Sequence, residues 1–349
     1  MVPARKSRAL RIDAIASRLD GHWQLVAGAF DVDPQRGRNF AIAQGLDPAR
    51  SYGSYQDLIA GETGRDDRVG AVAICTPKFT HYPIAKALIE AGFDVICEKP
   101  LTATLDDAVA LEALARDSGR FVGVTYTYCG YPLVHEARVR VARGELGRVR
   151  TVQAEYPLEW MSTAIERSGN DQAAWRTDPR KNGRGGSIGD IGTHAYHLAG
   201  FVTGLTLDSL TADLATFVGG RALDDNAHVM LRYQGGARGL LWSSQVAIGN
   251  SNGVRLRVFG EKVLCNGSRN SRTSWSGRRW MAACRPSSAA PTICRTTPRS
   301  APARPPATPR AIWKPSPTFT PVSPRRSAPG RRGANRACWG RTCRWPMTG

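Results

Sequence analysis

Acidic residues are missing from the last quarter of this 349-residue chain: Val263 to Gly349 contain 17 Lys/Arg and not one Asp, Glu or His. The first 262 residues hold 31 Lys/Arg against 29 Asp/Glu, so nearly all of the formal +19 belongs to the tail. So basic a chain suggests a polyanion binder, yet the body taken alone does not. Long apolar runs are missing too. Nothing approaches roughly 18 consecutive apolar residues, which excludes a membrane-spanning helix. Met1 to Leu19 lacks the uninterrupted apolar stretch and small-residue cleavage site of a secretory leader, so a cytoplasmic protein is expected. Cysteines at metal-ligand spacing are absent. Cys75, Cys97 and Cys129 are scattered and read as reduced thiols, and the other five (Cys265, Cys284, Cys294, Cys338, Cys343) lie in the tail. No internal repeat is visible, and the length allows two domains.

What is present is an alternation of strands and helices. Gln24 to Phe30 reads as a strand followed by the turn Asp31-Val-Asp-Pro34, and Arg36 to Ala43 as a helix. Val69 to Cys75 is a second buried strand, stopped by Thr76-Pro77; Tyr82 to Gly92 carries a helical stripe at Ile84, Ala87, Leu88 and Ala91. Phe93 to Cys97, terminated by Glu98-Lys99-Pro100, a helix from Leu105 to Asp117 and a strand from Phe121 to Thr125 continue the rhythm. Such alternation argues a parallel sheet covered on both faces, with ligands beyond the carboxyl ends of its strands, where Asp31, Thr76, Lys99 and Tyr128 fall. A dinucleotide fold opens on a strand and a Gly-x-Gly-x-x-Gly turn. Here Met1 to Ile12 contain no glycine, and only the end of the first helix, Ala14 to Leu19, is intact.

Several side chains carry chemistry. Asp31, at a strand end, can accept hydrogen bonds from a ribose 2′-hydroxyl, or simply shape the turn before Pro34. Arg36 and Arg38 can meet a 2′-phosphate, which keeps NADP open beside NAD. Lys99 is either an exposed strand-end lysine or an ammonium set in the crevice. The richest stretch runs from Gly185 to Gly200: a glycine-rich entry, then Asp190 and His194 at i and i+4 of a helix, with His197 on the adjoining face. A carboxylate one turn from an imidazole can orient it and raise its basicity, which suits a general base. The same helix also reads as buried, with histidines satisfied by backbone, or as a metal site from Asp190, His194 and His197. Trp175 and Arg176 offer an aromatic plate beside a guanidinium for a polyhydroxylated ring, with Trp160, Tyr128 and Tyr156 as further contacts.

Together Asp31-Val-Asp-Pro34, Thr76-Pro77 with His81, Glu98-Lys99-Pro100 and Asp190-x-x-x-His194 after Gly-Gly resemble the glucose–fructose oxidoreductase / inositol dehydrogenase (Gfo/Idh/MocA) family over about residues 14 to 262. The resemblance implies a Rossmann domain over 1–125 and an α+β domain with a large, mostly antiparallel sheet over 126–262. It further implies NAD or NADP as cofactor, a sugar, polyol or cyclitol substrate, and oligomers formed through the second sheet. It makes Lys99, Asp190 and His194 the catalytic positions. Thr76, Pro77, His81 and Glu98 would join Asp31 and Lys99 around the cofactor, with Tyr128, Tyr156, Trp175, Arg176 and His197 toward the substrate and no metal.

Past Lys262 the resemblance stops and residues 263–349 turn basic and aperiodic. Read one base earlier, Val263 to Trp275 permits Gly-Ser-Leu-Gln-Trp-Glu-Gln-Glu-Gln-Pro-Asn-Glu-Leu. Thr308 to Val322 permits His-Pro-Glu-Gly-Tyr-Leu-Glu-Ala-Phe-Ala-Asn-Leu-Tyr-Thr-Gly. Both strings are similar to the family's own, so a single base lost near codon 262 is the expectation; the same shift at Val2 to Ser7 permits Gly-Pro-Gly-Ala-Gln-Ile. As given, the tail is expected to be disordered or loosely collapsed, leaving apolar sheet faces open and turnover compromised. Two other functions are weighed: a nucleic-acid or polyanion binder using tail Arg and Trp residues, and a non-catalytic scaffold that binds cofactor.

Overall fold

The computed structural model describes residues 15–19, 21–269 and the backbone of 281–286. The expected first strand and glycine turn, and most of the basic tail, lie outside these residues. Helices α1 (Pro34–Ala43), α2 (Tyr55–Glu62), α3 (His81–Glu90) and α4 (Leu105–Ser118) alternate with strands β1 (Ala71–Ile74), β2 (Asp94–Glu98) and β3 (Val122–Thr125). The strands pair in parallel, β1–β2–β3. Side-chain caps start the helices: Asp33 accepts from the amides of Gln35 and Arg36, and Thr104 from that of Asp107. Gly119, at a φ of 64°, closes α4 in the left-handed conformation that a side chain would strain. Ile84, Leu88, Ile89, Phe93, Val95 and Cys97 form the core between α3 and the sheet.

One expected strand is not formed. Gln24 to Phe30 contributes a single parallel bridge, Gly28 to Ser51. Arg50 accepts from Gly28 and Gly28 from Tyr52, but no described strand lies on the other side to extend a ladder. Helix α2 was not expected: Gly61 and the short, polar Tyr55–Glu62 stretch hide its period, and the Ser54 cap starts it.

Helix α5 (Pro132–Ala142), also missed in the sequence, leads to the second sheet. That sheet contains β4 (Val149–Pro157), β5 (Leu207–Ala215), β6 (Asn226–Tyr233), β7 (Arg238–Ser244), β8 (Arg255–Gly260), β9 (Val263–Ser268) and β10 (Met281–Pro286). Its order is β10-β9-β8-β4-β7-β6-β5, antiparallel except for the parallel β4–β7 pair. Short helices α6 (Asp171–Thr177) and α7 (Pro179–Asn182) follow β4, and α8 (Thr193–Thr203) packs on the sheet with α5. The chain is thus a Rossmann-type α/β half followed by an α+β half on a large, mostly antiparallel sheet. Burial alternates along β6, with Ala227, Val229, Leu231 and Tyr233 inward and His228, Met230 and Arg232 outward, as a sheet covered on one face requires. Among the described residues no helix is long and apolar enough to cross a membrane.

Candidate functional site

The carboxyl ends of β1 and β2 present Thr76-Pro77 and Lys99. The stretch before α8 brings Asp190 to them. Residues Ile188 to Gly192 form a π-helical turn rather than regular α-helix, so Asp190 and His194 are not the plain i,i+4 pair the sequence suggests. Such turns re-aim side chains at functional positions. Glycine is needed here for close approach: a Cβ on Gly186 would stand 2.0 Å from the Asp224 carbonyl oxygen. Asp224 also fastens the turn, its carboxylate accepting from the amides of Gly186 at 2.6 Å and Ile188 at 2.8 Å.

Lys99 Nζ donates to Asp190 Oδ1 at 2.9 Å and to the Asp190 carbonyl at 2.7 Å, joining residues 91 apart in sequence. Arg176 Nε donates to Asp190 Oδ2 at 2.9 Å and Gln245 Nε2 to the same oxygen at 3.1 Å. Both oxygens of Asp190 are therefore engaged, and none of these bonds goes to His194. The expectation that Asp190 orients the imidazole directly gives way to one in which it orients Lys99. Burial would raise the Asp190 pKa, but Lys99 and Arg176 outweigh it and hold the carboxyl well below the usual range. Burial, with Lys99 adding to it against Asp190, keeps His194 neutral. Its Nδ1 is buried and has no hydrogen-bond partner. A neutral imidazole beside an ammonium–carboxylate pair can accept a proton from a hydroxyl that the ammonium polarises.

The remaining sequence-predicted residues divide. Arg176, expected on substrate, spends its Nε on Asp190 while its guanidinium lies 4.1 Å from the Trp175 ring centre and 5.6 Å from that of Trp160. Tyr128 and Tyr156 are buried, their hydroxyls 2.5 Å apart, with their rings packed on His194 at 4.8 and 5.8 Å between centroids. They wall the imidazole. His197 stacks on Tyr126 at 3.9 Å and faces Cys129 Sγ through Nδ1 at 3.1 Å. His81, expected beside the cofactor, is fully buried, with Nδ1 2.9 Å from the Pro100 carbonyl and Nε2 2.8 Å from that of Thr76. The neutral ring donates to one of these carbonyls and lies against the other, so both ring nitrogens face the two strand ends. Glu98 ends β2, and Thr76 is buried against the Thr80 hydroxyl at 2.6 Å. No group of three metal-ligating side chains occurs among the described residues. Two members of the site were missed. Gln245, just past β7, carries no motif; Lys78 stands beside Thr76-Pro77 and was passed over for its neighbours.

Toward a dinucleotide, the described residues fit in part. Asp31, three residues past the Gly28–Ser51 bridge, is held by Arg36 at 2.5 Å and by the Asp33 amide at 3.0 Å, and its pKa is lowered chiefly by Arg36. Gly37 lets α1 approach closely, since a Cβ there would lie 3.3 Å from the Asp31 nitrogen. A carboxylate so placed suits a ribose diol.

The model of an oxidoreductase family with an NAD-binding Rossmann fold matches residues 8–126, and that of the GFO/IDH/MocA C-terminal domain matches residues 134–264. An inositol dehydrogenase homolog from Azotobacter vinelandii, solved with NAD+, is 38% identical with a TM-score of 0.75, over 82% of this chain and 75% of that one. An uncharacterized oxidoreductase of Bacillus subtilis is 39% identical over 69% of this chain and 62% of its own length. A D-xylose 1-dehydrogenase (NADP(+)) of Haloferax volcanii is 32% identical over 59% and 58% respectively. The chain thus spans less than two thirds of the curated relatives it matches. With matched models on both halves and 38% identity to a solved relative over 82% of its length, the chain belongs to the GFO/IDH/MocA oxidoreductase family.

Proposed function

We propose that the chain is built as an NAD(P)-dependent dehydrogenase acting on a hydroxyl of a sugar, polyol or cyclitol. The observation that carries this reading is the Lys99–Asp190 contact, which joins the edge of one sheet to the π-turn before α8 with neutral His194 alongside. A nicotinamide, when bound, supplies the hydride acceptor. Lys99 donates a hydrogen bond to the reacting oxygen and favours its developing negative charge. His194 takes the hydroxyl proton, Asp190, itself braced by Arg176, holds Lys99 in place, and Asp31 grips the ribose. The solved relatives include an inositol dehydrogenase homolog with NADH and myo-inositol and a levoglucosan dehydrogenase with NADH and levoglucosan. Their ligands define the panel to try. NADH binding by fluorescence, weakened by Asp31→Ala, together with cofactor reduction on cyclitols and anhydrosugars, lost in Lys99→Met, is the expected result. A chain that binds NADH but turns over none of the panel is a cofactor-binding scaffold instead.

We also propose that the reading frame changes near codon 262, which compromises this form. Support comes from the burial pattern of β9, whose inward positions are Cys265 and Gly267. The shifted frame puts leucine and tryptophan at these two inward positions, and glutamine and glutamate at the alternate positions 266 and 268. Independent resequencing that returns the given frame would end this reading.

A further inference from the structure

Lys78 is a buried charged group of the site that none of the chemistry above employs. It opens the short turn after β1, is 5% exposed, and its ammonium lies 3.7 Å from where a Cβ on Gly189 would stand. Among the described residues no carboxylate is paired with it. The two within electrostatic reach are already filled: Asp190 by Lys99, Arg176 and Gln245, and Asp224 by the amides of the π-turn. A buried cation without a hydrogen-bonded anion is costly and persists where the surrounding structure uses it.

We propose that Lys78 is a positioning residue of the site, a third cation that seats the Asp190-bearing turn on the sheet edge and tunes the Lys99–Asp190 pair through its charge. This rests on the dehydrogenase reading given above. The charged groups acting on it are Asp190 and Asp224, which favour its charge, and Lys99 and Arg176, which oppose it. Helix α7 beside it adds Arg180, bound to Asp178, and exposed Lys181; His81, on its own segment, is turned to backbone carbonyls. Burial, offset in part by Asp190, brings the Lys78 pKa down to about 8. Its charge is therefore present at neutral pH and lost in mildly alkaline solution. With that charge goes part of the field that stabilises negative charge near Lys99.

The test is an Nζ titration of the full chain labelled with 15N-lysine, in which few lysines compete for assignment. The Lys78 resonance is expected to titrate near pH 8, to move upward when Lys99→Met removes a like charge, and downward in Asp190→Asn. An ordinary lysine midpoint, unmoved by either variant, overturns the proposal. Because the wild-type residue is observed, the result does not depend on a Lys78 variant folding. In turnover, Lys78→Met is expected to lower kcat about tenfold with the KM for the oxidised nicotinamide cofactor unchanged. Lys78→Arg should keep the rate and carry its alkaline fall to higher pH; equal damage from Met and Arg would mark a packing role and overturn the proposal. Coupled titration with no turnover of any sugar supports the coupling and tells against the dehydrogenase reading alone.

Discussion

Asp190 is buried with both carboxylate oxygens occupied, so its removal harms more than chemistry. Asp190→Asn keeps the shape but leaves Lys99 and Arg176 facing a neutral amide, at a cost of about 2–3 kcal/mol in urea unfolding. An unchanged midpoint would show that the cations relax into water. The histidines make a separate statement about pH. Burial lowers His197 from its ordinary 6.5 to about 4, and lowers His81 and His194 as well. Between about pH 6.5 and 4 the unfolded chain binds protons that the folded chain refuses. Stability from these groups is therefore complete above that window and falls as pH drops through it, by on the order of 2–3 kcal/mol for His197. Melting temperatures are expected to fall from pH 7 to 5, less steeply in His197→Gln. A flat profile would place these rings in contact with water. Asp190 cannot cause that fall, because its lowered pKa confines its own loss to more acid solution.

At the scale of elements, β9 is the place where a local change should stabilise. Cys265 and Gly267 face α5 and α8 across a gap that holds about one water molecule. Gly267→Ala, which adds a single methyl there, is expected to raise stability by about 0.5–1 kcal/mol in denaturant unfolding. A lower midpoint would mean that the space is already filled. The sequence disclosed those elements whose own period is strong. Strands β1, β2 and β3 fall within a few residues of their expected spans, because short apolar runs are local signals. Gln24–Phe30 misled for the opposite reason: its apolar run is real, but a strand also needs a neighbour, and neighbours are a tertiary property. The site divides in the same way. Lys99, Asp190 and His194 were legible because each sits in a motif. That Arg176 and Gln245 would close around Asp190 depends on two loops meeting, which no spacing records. His81 was legible as a position but not as a role, since its carbonyl partners exist only once two strand ends lie side by side.

For the whole molecule, the second sheet exposes two kinds of apolar surface, and they argue for different behaviour. On the outer face Met230 and Leu240 are cross-strand partners, 60% and 49% exposed, next to the stacked His228–Trp242 pair. A face-central patch of this kind suits a symmetric contact between two copies. On the opposite face Leu210 and Leu214 pair with buried Leu231 and Ala227, yet on edge strand β5 they remain 55% and 53% exposed. There the cover provided by α8 has ended, and an open apolar edge invites irregular association. The expected outcome in light scattering is therefore a mixture: a discrete dimer from the outer face and larger aggregates from the open edge. Met230→Lys with Leu240→Lys should remove the dimer without weakening NADH binding, which depends on the other half of the chain. Leu210→Lys with Leu214→Lys should remove the aggregates and spare the dimer. On the frame change proposed above, a chain carrying the shifted frame after codon 262 should act like the second pair, because the stretch it permits over 308–322 has the apolar spacing of a covering helix. If that chain aggregates as before, cover from the tail is not what decides the association.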